Sequence, residues 1–227
     1  MKLKRKLTIP KLIEEAQHFC VVQSKFQHKE LFGVTDGKAV GTLIEQSFQK
    51  HLWEKYEVGI GSSAKGIDLP SEDILTDIKV TSIVQPQSSC PFKDAKQKIF
   101  GLGYNLLVFV YDKKDNAESQ TSILNFVSCS FVSKERTADY TTTSILNNMK
   151  KVDANAEDIV SFLNGIKIPA DEITLKQLAD KILSTEVTIG YLTISNALQW
   201  RLQYKRIVNL KDDIDGIHKI INYNKPV

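Results

Sequence analysis

Gly66-Ile-Asp-Leu-Pro70, followed after a short turn by Ile74-Leu-Thr-Asp-Ile-Lys-Val-Thr-Ser82, is the stretch on which the fold depends. Both runs read as extended, and Pro70-Ser-Glu-Asp73 has turn composition, so a hairpin is expected. Asp77 and Lys79 lie two residues apart, and on a strand both side chains point to the same face. With the turn centred on Glu72 and Asp73, Asp68 stands opposite Asp77, and directly opposed residues hold their Cβ atoms about 5 Å apart. Two carboxylates so placed repel unless a cation separates them, and one divalent ion at ~2.1 Å from each oxygen does so. A lysine beside them would stabilise an attacking water or a phosphate, which makes a metal-assisted hydrolytic site. The same residues also suit a solvent-facing hairpin with an Asp77–Lys79 salt bridge, and a bare Asp-x-Lys triplet does not choose between the two. The apolar flanks, the glycine-led acid at hairpin distance and an upstream helix carrying Glu45 favour the hydrolytic site.

Upstream, Val40, Leu43, Ile44, Phe48 and Leu52 recur at helical spacing and predict a helix over 38–56. A shorter helix over 11–27 rests on Leu12, Ala16, Phe19, Cys20 and Val22, and Gly59-Ile-Gly-Ser-Ser63 breaks the chain. Downstream, Gln85 to Pro91 reads as a loop and 92–102 as a basic helix. Asn105-Leu-Leu-Val-Phe-Val-Tyr111 reads as a buried strand, 113–116 as a turn and 122–132 as a further strand. Beyond about residue 134 the pattern turns helical, with helices expected at 139–150, 156–164, 174–184 and 195–208. The expected fold class is α/β: a mixed central β-sheet flanked by helices, with a helical C-terminal third. Residues 1–134 would form the core that carries the hydrolytic site, with its N-terminal helices, and 135–227 a mostly helical region for recognition or dimerisation.

These residues resemble the PD-(D/E)XK nuclease superfamily, and within it the type II restriction endonucleases. That pattern is an acid at the end of one strand, D/E-x-K on the next, and often a glutamate on the preceding helix. Here Asp68, Asp77-Ile-Lys79 and Glu45 in Gly41-Thr-Leu-Ile-Glu-Gln-Ser-Phe48 fill it, over about residues 38–112. One departure is that proline follows Asp68 by two instead of preceding it. The resemblance implies a restriction-endonuclease-like sheet, with Asp68 and Asp77 binding Mg²⁺ (Mn²⁺ as substitute). Lys79 would orient or activate water, and Glu45 would be an outer or second-metal ligand. It further implies sequence-specific cleavage of double-stranded DNA, by a homodimer, since two-fold symmetric sites call for two-fold symmetric readers. A repair or junction-resolving nuclease of the same fold stays open, as does a non-catalytic DNA-binding regulator. Glu45 alone also reads as an exposed helix acid near Lys50.

Candidate DNA contacts lie on both sides of this core. Gln85, Gln87, Ser88 and Ser89 are neutral donors and acceptors just past the Asp-x-Lys strand, with Lys93 and Lys96 following. Arg201, Lys205 and Arg206 belong to an acid-free stretch over 196–211 and would share one helix. A second acid-free stretch, 1–12, holds Lys2, Lys4, Arg5, Lys6 and Lys11. Each run suits phosphate contact; each equally suits a polar loop, a solvated helix face or a dimerisation helix anchored by Leu198 and Leu202.

Composition sets the outer limits. Hydrophobic residues make up 42% and charged residues 25% of 227, which excludes a wholly disordered chain, and the net charge of +3 does not by itself announce a polyanion partner. Cys20, Cys90 and Cys129 are odd in number, far apart and without Cys-x-x-Cys spacing, which argues against zinc or a disulfide framework and for the reduced thiols of a cytoplasmic protein. No segment approaches the ~18 apolar residues a membrane span needs, so no membrane association is expected.

Overall fold

In a computed structural model of the chain, the residues described are 4–58, 66–90, 93–195 and 200–223. The chain begins with β1 (Arg5–Lys6), α1 (Ile9–Gln23), β2 (Gln27–His28), α2 (Gly37–Lys55) and β3 (Tyr56–Glu57). Then come β4 (Thr76–Ser82), β5 (Gln87–Cys90), α3 (Gln97–Phe100), β6 (Asn105–Asn116) and β7 (Thr121–Val132). The remainder holds α4 (Tyr140–Lys151), α5 (Ala156–Gly165), α6 (Glu172–Ser184), β8 (Thr193–Ile194), β9 (Trp200–Gln203), α7 (Lys205–Val208) and β10 (Ile217–Ile221).

The main sheet runs β10-β7-β6-β4, with β2 also on β7. It is mixed: β4 and β6 are parallel, while β6–β7, β7–β10 and β2–β7 are antiparallel. β6 is buried from Asn105 through Tyr111, as its unbroken apolar run requires of a central strand. Its alternate side chains feed two cores. Leu107, Phe109 and Tyr111 pack with Phe19 and Phe48 of α1 and α2, whereas Leu106, Val108 and Val110 pack with Leu202, Tyr204 and Ile207. A third core joins α3 to the α4–α6 helices through Ile99, Leu146, Ile159, Leu163 and Leu178. Sheet and flanking helices thus form the α/β architecture expected.

Four local expectations are corrected. The stretch expected as a loop carries β5, and the basic helix over 92–102 shrinks to the four residues of α3. The turn over 113–116 is strand, because β6 and β7 pair out to Asn116 and Thr121. The helix over 195–208 is replaced by β9 and the short α7; residues 196–199 of that span lie outside the described residues, as does the break at 59–63. β5, β9 and β8 form a second, three-stranded antiparallel sheet. β10 then returns to the main sheet, so the C-terminal part is not helical throughout. Asp139 ties these layers together: its buried carboxylate accepts from Thr142 N at 2.8 Å, capping α4, and from Ile194 N of β8 at 2.7 Å.

Cys20, Cys90 and Cys129 are buried and unbridged. Among the described residues no helix is long and apolar enough to cross a membrane.

Candidate active site

The site is built where β4 forms the open edge of the main sheet. Leu69 exchanges backbone hydrogen bonds with Thr76, Leu69 N donating at 2.9 Å and Thr76 N at 3.0 Å. That single bridge replaces the full hairpin expected, yet it fixes the expected register: one step further from the turn, Asp68 stands opposite Asp77. β4 is held from its other side by β6, with Asp77 level with Leu106 and Lys79 with Val108. Asn105 locks the start of the strand, its Nδ2 donating to Ile74 O at 2.6 Å.

Three carboxyls and one ammonium meet here. Asp77 is only 3% exposed, and its Oδ2 pairs with Lys79 Nζ at 2.7 Å. Asp68 Oδ2 accepts from Ile78 N at 2.7 Å and its Oδ1 from Gln49 Nε2 at 3.0 Å. Glu45 and Gln49, four residues apart, share one face of α2 and both reach Asp68. Gln49 escaped the sequence reading; its spacing from Glu45 is the signal that marks it.

Burial sets the electrostatics. It pushes Asp77 up to about 7 against the pull of the Lys79 charge, with Asp68 adding to the rise. Burial likewise raises Asp68, despite the hydrogen bonds from Asp77 and the Ile78 amide, and raises Glu45 despite its contact with Asp68. Burial works against the charge of Lys79, but Asp77, Asp68 and Glu45 together hold its ammonium above the ordinary lysine value. Three acids thus share one cation, and each resists ionising for want of a second.

A divalent ion fits that deficit. The donors are all hard carboxylate oxygens, which suit Mg²⁺, Mn²⁺ or Ca²⁺ and not the thiol and imidazole preferences of zinc. Among the described residues no group of three or more His, Cys, Asp and Glu side chains is already arranged to hold a metal ion. A seat of two carboxylates completed by water and substrate oxygens is the arrangement magnesium normally accepts.

Lys79, Glu45, Ile78 and Thr81 line a cleft of about 720 Å³, whose far wall carries Gln85, Gln87, Ser88, Ser89 and Arg201. The N-terminal turn of α2, with Gly37, Lys38, Gly41 and Thr42, closes the other side and was not anticipated from sequence. The remaining candidate DNA contacts sit elsewhere. Lys96 pairs with Asp94 at 3.8 Å and, like Lys93, does not line the cleft. Lys205 is exposed at the start of α7, while the Arg206 guanidinium stacks 3.7 Å from the Tyr140 ring centre with its Nε buried and unpartnered. In the basic N-terminus, Lys6 pairs with Asp73, Lys11 with Glu14, and Lys4 donates to Trp53 O.

Residues 6–219 match the family model of the type II restriction enzyme NspV. The type II restriction enzyme NspV of Nostoc sp. is 50% identical over 218 residues, covering 96% of this chain and 98% of that protein. No solved structure matches the chain.

Proposed function

Because this chain belongs to the NspV family of type II restriction enzymes, and so is a sequence-specific endonuclease acting on double-stranded DNA, we propose that the Asp68–Asp77–Lys79 cluster, with Glu45 beside it, is its catalytic centre. The observation that carries this reading is the convergence of buried Asp77 and half-buried Asp68 and Glu45 on one lysine, with Glu45 and Lys79 lining a cleft. The pattern is that of the PD-(D/E)XK nucleases. Asp68 and Asp77 would hold Mg²⁺, or Mn²⁺ in its place, with Glu45 as an outer carboxylate. Once bound, the ion would neutralise charge on the scissile phosphate and lower the pKa of a water.

The chain's own groups do the positioning. Gln49 and the Ile78 amide aim the Asp68 carboxylate, leaving no freedom for it to swing away from Asp77. Lys79, held protonated by its acidic neighbours, supplies a fixed positive charge where the phosphate accumulates negative charge in the transition state. Such a pre-set charge in a partly buried site acts more strongly than one in water. A homodimer in the cytoplasm, matching a two-fold symmetric DNA site, accords with this reading.

Incubation of the protein with phage DNA and Mg²⁺ is expected to give discrete bands. Asp77→Ala should cut nothing while binding the same DNA in Ca²⁺ within a few-fold of the parent. Cleavage at near the parent rate by Asp77→Ala would sink the assignment.

A further inference from the structure

The β5-β9-β8 sheet has two unlike faces. Leu202, Ile194 and Cys90 are buried in the second core, and Tyr204 beyond the end of β9 is wholly buried with them. The register pairs Ser89 with Arg201, and Gln203 with both Gln87 and Thr193, so these five side chains share the opposite face. Ser89, Arg201 and Gln203 are exposed, and Gln87 and Thr193 are half-buried. All five carry hydrogen-bonding groups, and none is an acid. Among the described residues the Arg201 guanidinium makes no ion pair or hydrogen bond; its backbone alone is engaged, by Ser195 and in the ladder with β5. The backbone beneath is firmly placed: Tyr204 N donates to Pro86 O at 2.8 Å, the Tyr204 and Ser88 hydroxyls are hydrogen-bonded, and Asp139 holds β8.

Arg201, Gln87 and Ser89 look into the same cleft as Glu45 and Lys79. A patch built only to grip phosphates would be a cluster of lysines and arginines. This one holds a single cation among amides and hydroxyls, the groups that pair with base edges. We propose that this face reads the recognition sequence, with Arg201 donating both arms of its guanidinium to the O6 and N7 of a guanine and Gln203 and Gln87 pairing with neighbouring bases. The proposal rests on the nuclease reading above, and adds to it which residues choose the sequence.

The test uses the full chain in Ca²⁺, so that binding is measured without cutting. The parent's cleavage site is first mapped in Mg²⁺. Duplexes carrying that site, and each of its single base-pair variants, are then titrated with parent, Arg201→Ala and Gln203→Ala at several salt concentrations. Arg201→Ala is expected to lose discrimination at one G·C pair by between about fivefold and 150-fold, keeping the salt dependence of its non-specific binding. Gln203→Ala should relax a different base pair, and the melting temperature of both variants should match the parent's. A salt slope shallower by ~1 in Arg201→Ala with discrimination intact would make Arg201 a phosphate contact and overturn the proposal. Full discrimination by both variants, from a parent that cuts at discrete sites, would overturn it alone. A parent that cuts at no discrete sequence would overturn the nuclease reading together with it.

Discussion

Lys79 shows how much of the site is decided by one residue's surroundings. Burial would strip a lysine of its proton, yet the charge of Asp77 at 2.7 Å, joined by Asp68 and Glu45, reverses the sign. The ammonium is therefore a permanent charge and not a proton donor poised to titrate near neutrality. Its removal should act on the transition state more than on DNA affinity, because the ammonium is one charge, already paired with Asp77, and affinity for DNA is spread over many contacts. Lys79→Ala is accordingly expected to lower turnover by roughly 10²–10³ with the Kd for DNA in Ca²⁺ moving less than tenfold. Single-turnover rates and binding isotherms on one preparation check it. A loss shared equally between binding and turnover would mean that Lys79 holds ground-state DNA instead. Position two along from Asp77 was enough to place this lysine from sequence, since a strand repeats every second residue; what sequence could not give was how deep the pair lies.

At the scale of elements, the helix that carries Glu45 and Gln49 is held by a clamp at its far end. Glu15 of α1 accepts from Lys55 at 2.6 Å, from the Tyr56 hydroxyl at 2.8 Å, and lies 2.7 Å from His51 Nε2. Burial pushes this carboxyl up, but Lys55, His51 and Tyr56 overcome it and hold it at about 2, against an ordinary 4.5. A depressed acid stabilises the fold wherever pH exceeds its unfolded value, and that stability drains away as pH falls through the folded one. Glu15→Gln should thus melt below the parent at pH 7, with the gap closing between about pH 4.5 and pH 2; a constant gap across that range would rule the clamp out. Elements whose signal is local were readable. The apolar stripe of α2 and the short turn before β4 both lie within twenty residues, and α4, α5 and α6 show their 3.6-residue period openly. β5 and β9 were not, for a physical reason. Each is four residues long, β5 finds its partner more than a hundred residues away, and the neighbour of β9 in sequence, β8, is only two residues long, so neither is recognisable alone. Leu198 and Leu202 lie four apart and imitate a helical stripe. The alternation Arg201 out, Leu202 in, Gln203 out, Tyr204 in was present all along, and it alone marked the strand.

For the whole molecule, two charge patterns meet in one cleft although the net charge is only +3. Glu45 of α2 and Lys79 of β4 line it, with Asp68 and Asp77 gathered against them, while the wall built by β5 and β9 presents amides, hydroxyls and Arg201. The strands that line it belong to two hydrogen-bonded sheets that both contribute to the second core, so the cleft is framed largely by regular elements. Gathering carboxyls out of full contact with water costs stability, as their upward displacement shows, and a cation bound among them would return part of that cost. Folding and ion binding are then linked: a ligand of the folded state alone stabilises by RT ln(1 + [L]/Kd), ~2.7 kcal/mol at a hundredfold excess over Kd. For a chain of this length 1 kcal/mol corresponds to about 2–4 °C in melting temperature. Mg²⁺, Mn²⁺ and Ca²⁺ are each expected to raise Tm by several degrees over the protein in EDTA, and Asp77→Ala should show little of the rise. Ca²⁺, larger and looser in its coordination, should match Mg²⁺ in this stabilisation, yet fail to align an in-line attack, so that cutting follows Mg²⁺ or Mn²⁺ only. The measurement needs no DNA for its first half, which separates occupancy of the carboxylates from catalysis. A Tm indifferent to all three ions, or equally raised in Asp77→Ala, would remove Asp77 from the metal seat, and full cleavage in excess EDTA would remove the metal from the reaction.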